Sequence, residues 1–115
     1  MEYQGSCHCG GIAFTVEGEI GQVVDCNCSM CRRRGGLLWF VPDSAFALRT
    51  PRERLATYLF NRRHIQHHFC PTCGIAPFGE GQAQDGSTMV AVNVRCLPEV
   101  ELDALQVAPF DGARL

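Results

Sequence analysis

The chain contains no lysine; all ten of its basic residues are arginine. With twelve acidic residues and a net charge of −2, it lacks the broad positive field that draws non-specific nucleic-acid binders to phosphate, so nucleic acid is not an expected partner. Arginine favours planar, two-pronged recognition of carboxylates wherever it faces a site, although genomic base composition would produce the same bias. No apolar run approaches the roughly 20 residues of a bilayer span. Residues 1–11 show no basic segment leading into an apolar one, so neither a membrane nor a secretory leader is expected, and the cytoplasm is the expected compartment. There is also no repeat, linker or low-complexity stretch. At 115 residues and 12.7 kDa, with 46% hydrophobic residues, the sequence reads as one domain, 1–115, with a modest core.

Cysteine is abundant, with eight in the chain. Seven fall into three clusters: Cys7-His8-Cys9, Cys26-Asn27-Cys28-Ser29-Met30-Cys31 and Cys70-Pro71-Thr72-Cys73-Gly74. Two cysteines one or two residues apart at a tight turn can aim both sulfurs at one ion, and zinc thiolate sites are tetrahedral. A disulfide framework is the rival reading. It fits poorly, because the two sulfurs of a CxC pair cannot both reach well-separated partners without strain. The clusters divide unevenly, and the simplest partition is one closed site and one open one. Cys7, Cys9, Cys70 and Cys73 make a structural zinc site tying the first strand to a distant hairpin. Cys26, Cys28 and Cys31 hold a second zinc with one position free for water, substrate or Cys96, as catalytic zincs keep a vacancy. The expected cofactor is zinc, two per chain, with the second site prone to partial emptiness.

The hydrophobic period is mostly two. Ile12, Phe14 and Val16 alternate with Ala13, Thr15 and Glu17 as a strand, and Val23-Val24-Asp25 is a second running into the three-cysteine segment. Leu37 to Val41 reads as a strand buried on both faces, and Phe46-Ala47-Leu48 as a short one. Leu55 to Phe60 and Ile65 to Phe69 alternate as paired strands joined around Asn61-Arg62-Arg63. Thr88 to Val94 places Met89, Ala91 and Asn93 on one face and Val90, Val92 and Val94 on the other. Only Ser29 to Arg34 suits a helical turn. The expectation is an all-β domain of about seven or eight short strands.

Five segments in order carry a resemblance: Gly5-Ser6-Cys7-His8-Cys9-Gly10, Cys26-Asn27-Cys28-Ser29-Met30-Cys31-Arg32, Phe69-Cys70-Pro71-Thr72-Cys73-Gly74, Val92-Asn93-Val94-Arg95-Cys96-Leu97 and Phe110-Asp111-Gly112. Together, from residue 5 to 112, they resemble the glutathione-dependent formaldehyde-activating enzyme family, the group that includes centromere protein V. The resemblance implies a zinc-containing β-tent fold similar to that of methionine-R-sulfoxide reductases, a structural four-cysteine zinc and a second three-cysteine zinc. It also implies a carbon–sulfur lyase activity, the founding reaction being condensation of formaldehyde with glutathione to S-hydroxymethylglutathione.

The open site's chemistry agrees. Three thiolates leave zinc with net charge −1, which weakens it as a Lewis acid for activating water. An incoming thiol is a plausible occupant, since soft thiolates exchange readily and the metal lowers thiol pKa. A glutathione-like thiol brings carboxylates for which arginine is the natural partner. Arg32, Arg33, Arg34 and Arg95 are candidates by proximity to Cys31 and Cys96, with Arg32 and Arg95 the favoured substrate contacts. The catalytic set is then Cys26, Cys28, Cys31 and Cys96, and the partner a small-molecule thiol. Duller roles stand beside these: Arg32-Arg33-Arg34 as a solvated turn offsetting thiolate charge, and Cys96 as core packing. His67 and His68 lie on opposite strand faces, so at most one faces a site. His8 points away from the metal, Trp39 belongs to the core, and Asp25 is either a hydrogen-bond acceptor behind the ligands or exposed. Two alternatives of other classes are a non-catalytic zinc-stabilised interaction module, with the second shell closed by Cys96, and a cysteine-based sulfoxide reductase needing a metal-free Cys96.

Overall fold

The structure, a computed structural model, describes residues 1–59 and 65–114. Among the described residues it is all-β, with ten strands in two sheets, one short α-helix where a helical turn was expected, and five three-residue 3-10 turns that were not expected. Strands β1 (Glu2–Ser6), β2 (Ala13–Glu17) and β5 (Phe46–Leu48) form a three-stranded antiparallel sheet in the order β1-β2-β5. The larger sheet has seven strands in the order β10-β3-β4-β9-β8-β7-β6. These are β10 (Gln106–Phe110), β3 (Gln22–Cys26), β4 (Leu38–Pro42), β9 (Thr88–Asn93), β8 (Phe78–Gln82), β7 (Gln66–Phe69) and β6 (Ala56–Tyr58). All neighbours are antiparallel except β10, which runs parallel to β3.

The core lies between the two sheets. Period-two alternation puts Phe14 and Val16 of β2 on one side and Val90, Val92, Trp39 and Val41 on the other, all buried. Phe14 stacks on Phe46 at 5.0 Å between ring centroids, and both rings meet Phe78 of the large sheet, at 6.0 and 4.6 Å. Tyr3 meets Trp39 edge-on at 5.8 Å. Such pairs add about 0.5–1.5 kcal/mol each beyond area burial.

Most expected strands are present within a residue or two of their ends. The valine face of β9 is buried to 0% exposure at Val90 and Val92, as alternation required, and Val94, equally buried, opens the 3-10 turn that follows the strand. Three strands were not anticipated: β1, with Gln4 and Gly5 at its centre, β8, which carries two glycines, and β10, which pairs parallel with a distant strand. The reading of Leu37 to Val41 as buried on both faces is corrected. Trp39 and Val41 face the core, whereas Phe40 is 50% exposed, because no layer covers that side of the sheet at its position. The turn expected at Asn61-Arg62-Arg63 lies outside the described residues, as does Phe60. No helix among the described residues is long and apolar enough to cross a membrane.

Candidate metal centres and the adjoining cavity

The β1–β2 hairpin loop carries Cys7 and Cys9, and the β7–β8 loop carries Cys70 and Cys73. Each loop is closed by paired backbone bonds. Cys7 N–H donates to Ile12 O at 3.0 Å, and Cys70 N–H donates to Ile75 O at 2.9 Å. Gly10 and Gly74 take positive φ (80° and 81°) at the turns, where a side chain would be strained. The two loops converge from different sheets, and their four sulfurs lie within 4.8 Å of one another. Cys7 and Cys9 Sγ are 3.7 Å apart, and Cys9 and Cys70 Sγ 3.6 Å. A tetrahedron with metal–sulfur bonds of about 2.3 Å has edges of about 3.8 Å, so the set fits one ion.

Backbone donors prepare these sulfurs for the thiolate state. Ile12 N–H points at Cys7 Sγ from 3.3 Å and Cys73 N–H at Cys70 Sγ from 3.5 Å. The N–H groups of Ile75 and then Cys9 pull the Cys73 thiol down to about 6, and the N–H of Cys73 lowers Cys70. Cys9 moves the other way. The N–H of Gly11 favours its thiolate, but the Cys70 thiol, burial and the remaining thiols outweigh it and push Cys9 up to about 11. Four thiolates this close would repel one another, so a cation between them is what would let Cys9 ionise beside the others.

The second group is local. β3 ends at Cys26, a turn presents Cys28, and helix α1 (Cys31–Arg34) begins with Cys31 and stops at Gly35 in the left-handed conformation. The three sulfurs again lie within 4.8 Å of one another. Cys31 N–H points at Cys28 Sγ (3.3 Å) and Cys28 N–H at Cys26 Sγ (3.5 Å). Burial, and then the Cys28 and Cys26 sulfurs, push Cys31 far above the ordinary thiol range. Burial also opposes the Cys28 thiolate, but the N–H groups of Cys31 and Met30, with the adjacent thiols, lower its pKa overall.

The chain's end braces this turn. Asn27 donates from its backbone to Phe110 O (3.1 Å) and from Nδ2 to Asp111 Oδ1 (3.0 Å), while its Oδ1 accepts from Ala113 N–H (3.0 Å). Gly112 lies so close that a Cβ there would sit 2.5 Å from Cys26 Sγ. Beside the turn opens a cavity of about 540 Å³ lined by Ser29, Met30, Arg33, Arg34, Tyr58 and Phe69. The Arg34 guanidinium lies 5.7 Å from the Phe69 ring centroid, and Arg33 Nη1 donates to Ser29 O at 2.7 Å.

The family model described as glutathione-dependent formaldehyde-activating enzyme matches residues 2–108. The chain belongs to this family. A crystal structure of a Rhodobacter sphaeroides protein is similar to it over 94% of this chain and 100% of that one, with 31% identity and a TM-score of 0.77.

In this member of the formaldehyde-activating family, seven of the eight cysteines thus form two groups, one of four and one of three, and each could hold a metal ion. The all-sulfur donor sets suit a soft or borderline cation. Cys96 joins neither group. It is buried, and burial followed by the charges of Cys7 and Cys73 pushes its thiol up to about 11. Its electrostatic neighbours therefore belong to the four-cysteine group, not to Cys26, Cys28 and Cys31. Arg32 is exposed on α1, and Arg95 braces the helix end, its Nε donating to Gly35 O at 3.2 Å. Among the described residues, the arginines that line the cavity are Arg33 and Arg34. His8 and Asp25 are exposed, and Trp39 is in the core. His67 and His68 face opposite ways, with His68 buried against Phe78. Sequence reasoning passed over Tyr58, Phe69 and Asn27. Tyr58 and Phe69 arrive through strand pairing, which spacing does not disclose, whereas Asn27 sits visibly between two cysteines of the three-cysteine group.

Proposed function

We propose that both groups hold zinc, on a β-tent framework of the kind found in methionine-R-sulfoxide reductases, and that the protein is a carbon–sulfur lyase acting on a small thiol adduct such as S-hydroxymethylglutathione. The observation that carries this is the division of the cysteines into a closed four-sulfur group and a three-sulfur group beside a cavity with two arginines. Cys26, Cys28 and Cys31 would hold zinc, and the metal would supply a soft Lewis acid at which an incoming thiol loses its proton more readily.

The chain's own residues do the rest. Arg33 and Arg34 are placed to engage carboxylates of a glutathione-like thiol through charge-assisted hydrogen bonds. Met30, Tyr58 and Phe69 give the cavity apolar walls that limit water around the reacting sulfur. The N–H groups behind Cys26 and Cys28 hold the ligand thiolates and leave the incoming sulfur free to react. In the forward direction sulfur bonds to the carbonyl carbon of formaldehyde, and the thiol proton ends on the new hydroxyl. Lysis reverses both changes.

Cobalt substitution tests the reading. Glutathione is expected to alter the visible d–d and thiolate charge-transfer bands of the cobalt protein, and to bind at least tenfold more tightly than a neutral thiol of similar size. Charge-assisted hydrogen bonds worth about 1.5–3 kcal/mol each can supply that ratio. Arg34→Ala should shrink it, and Arg32→Ala should shrink it less. With both metals bound, absence of any spectral response to thiols would sink the lyase reading and favour a zinc-stabilised interaction module.

A further inference from the structure

The face of the large sheet that points away from the core carries a row of directly opposed residues across five strands. Tyr58 of β6 faces His67 of β7, His67 faces Gly79 of β8, Gly79 faces Ala91 of β9, and Ala91 faces Phe40 of β4. At about 4.8 Å between strands, the four steps span about 19 Å. The row ends in two half-exposed aromatic rings, Tyr58 and Phe40. At its middle, Gly79 and Ala91 contribute one methyl group between them, so the surface dips. Alongside, Gly81 is opposed to Met89, and the space where its side chain would stand is bordered by Ile65.

The dip is a cavity of about 590 Å³ whose walls include Phe40, Ile65, Gly79, Gly81, Met89 and Ala91. Glu80 and Gln82 also border it, but the Glu80 carboxylate is engaged by Arg52 and His68. The Tyr58 end of the row lines the other cavity, the one with Arg33 and Arg34 beside the three-cysteine turn. The two cavities are therefore successive along one face, the cationic one near the three-cysteine turn and the apolar one over Gly79 and Ala91, with His67 of the row between them. A one-carbon hydroxymethyl group would leave the apolar end unused.

We propose that the apolar cavity, a trough over Gly79 and Ala91, binds an apolar substituent, an aryl ring or a medium-length alkyl chain, of an anionic thiol conjugate that passes His67 so that its carboxylates engage Arg33 and Arg34 in the neighbouring cavity. The proposal rests on the thiol-adduct reading only for the nature of the anionic end. It makes the preferred adduct one of an apolar aldehyde several carbons long. The floor sets the shape: two glycines and an alanine admit a flat or narrow group, and Phe40 and Met89 close on its edges.

Calorimetric titration of zinc-replete protein tests this with S-methylglutathione, S-hexylglutathione, S-benzylglutathione and the sulfur-free 4-phenylbutyrate. The hexyl and benzyl conjugates are expected to bind at least tenfold more tightly than the methyl conjugate. Ala91→Phe fills the floor and should abolish that advantage while leaving S-methylglutathione binding unchanged; Phe40→Ala, at an exposed position, should reduce it at least threefold. Equal affinities for methyl and benzyl conjugates, an advantage that survives both substitutions, or binding of none of the four compounds would overturn the proposal. The two readings separate cleanly. Binding of 4-phenylbutyrate that is sensitive to Ala91→Phe, without a cobalt response to glutathione, upholds the trough and removes the thiol chemistry. A cobalt response without a benzyl advantage does the reverse.

Discussion

At the scale of single residues, Glu80 is the partly buried carboxylate on which Arg52 and His68 converge. Its carboxylate takes both prongs of Arg52, at 3.0 and 2.9 Å, and the His68 Nε2 donor at 2.7 Å. His68 Nδ1 then accepts from the Thr57 hydroxyl at 2.9 Å, the pattern of a neutral imidazole, and burial accordingly lowers the His68 pKa. For Glu80 burial opposes the charge, but Arg52 and His68 outweigh it and hold the pKa below its ordinary 4.5. Asp43 adds to the charge around Arg52. A carboxylate depressed in the folded state contributes fully above its unfolded pKa, and that contribution is lost as pH falls through the folded value. Glu80→Gln should therefore cost about 1–3 kcal/mol in urea unfolding at pH 7. The gap from the unsubstituted protein should narrow steadily below about pH 4.5; a gap that is constant from pH 7 to 3 would remove the ion pair from the account.

Among elements, the two cysteine-bearing structures differ in what they join. Cys7 and Cys70 are contributed by loops of different sheets, so a shared ion fastens one sheet to the other across a long stretch of chain. Cys26, Cys28 and Cys31 belong to a single turn between β3 and α1, braced by hydrogen bonds from Asn27 to the C-terminal segment that do not need a metal. Loss of a site that closes a long loop removes folding free energy, because metal binding and folding are coupled there. Cys70→Ser should give insoluble or molten protein without a cooperative melt, and Cys28→Ser a folded one melting close to the original. Thermal melts by circular dichroism read the difference, and equal behaviour of the two variants would refute the division of labour.

For the whole molecule, a core of aromatic and aliphatic side chains lies between a three-stranded and a seven-stranded sheet, and Cys7 and Cys70 of the four-cysteine group are buried within it. Protein produced with ample zinc is expected to carry two ions per chain. Titration with a chelator should remove them in order, first from the three-cysteine turn with near-ultraviolet circular dichroism retained, then from the four-cysteine group with loss of that signal. Loss of both ions and of tertiary structure in a single step would contradict the separation of roles.

What the sequence determined by itself was local. Paired cysteines at short spacing marked the groups that could hold a metal, because a tight turn fixes the distance between its own sulfurs. Alternating Val90, Val92 and Val94 marked a core-facing strand, because side-chain direction repeats every two residues. It could not show β8 or β10, whose residues Gly79 and Pro109 carry no strand preference and are held by their neighbours. Tertiary structure alone decided which charged groups meet. Nearness to Cys31 and Cys96 along the chain makes Arg32, Arg33, Arg34 and Arg95 candidates alike, and only the fold brings Arg33 and Arg34 to the cavity, because the helix turns them toward the strands that bear Tyr58 and Phe69. The same holds for Cys96, three residues beyond Asn93 but electrostatically joined to Cys7 and Cys73. The row from Tyr58 to Phe40 exists only through pairing register across five strands, a relation between distant segments that no spacing within any one of them encodes.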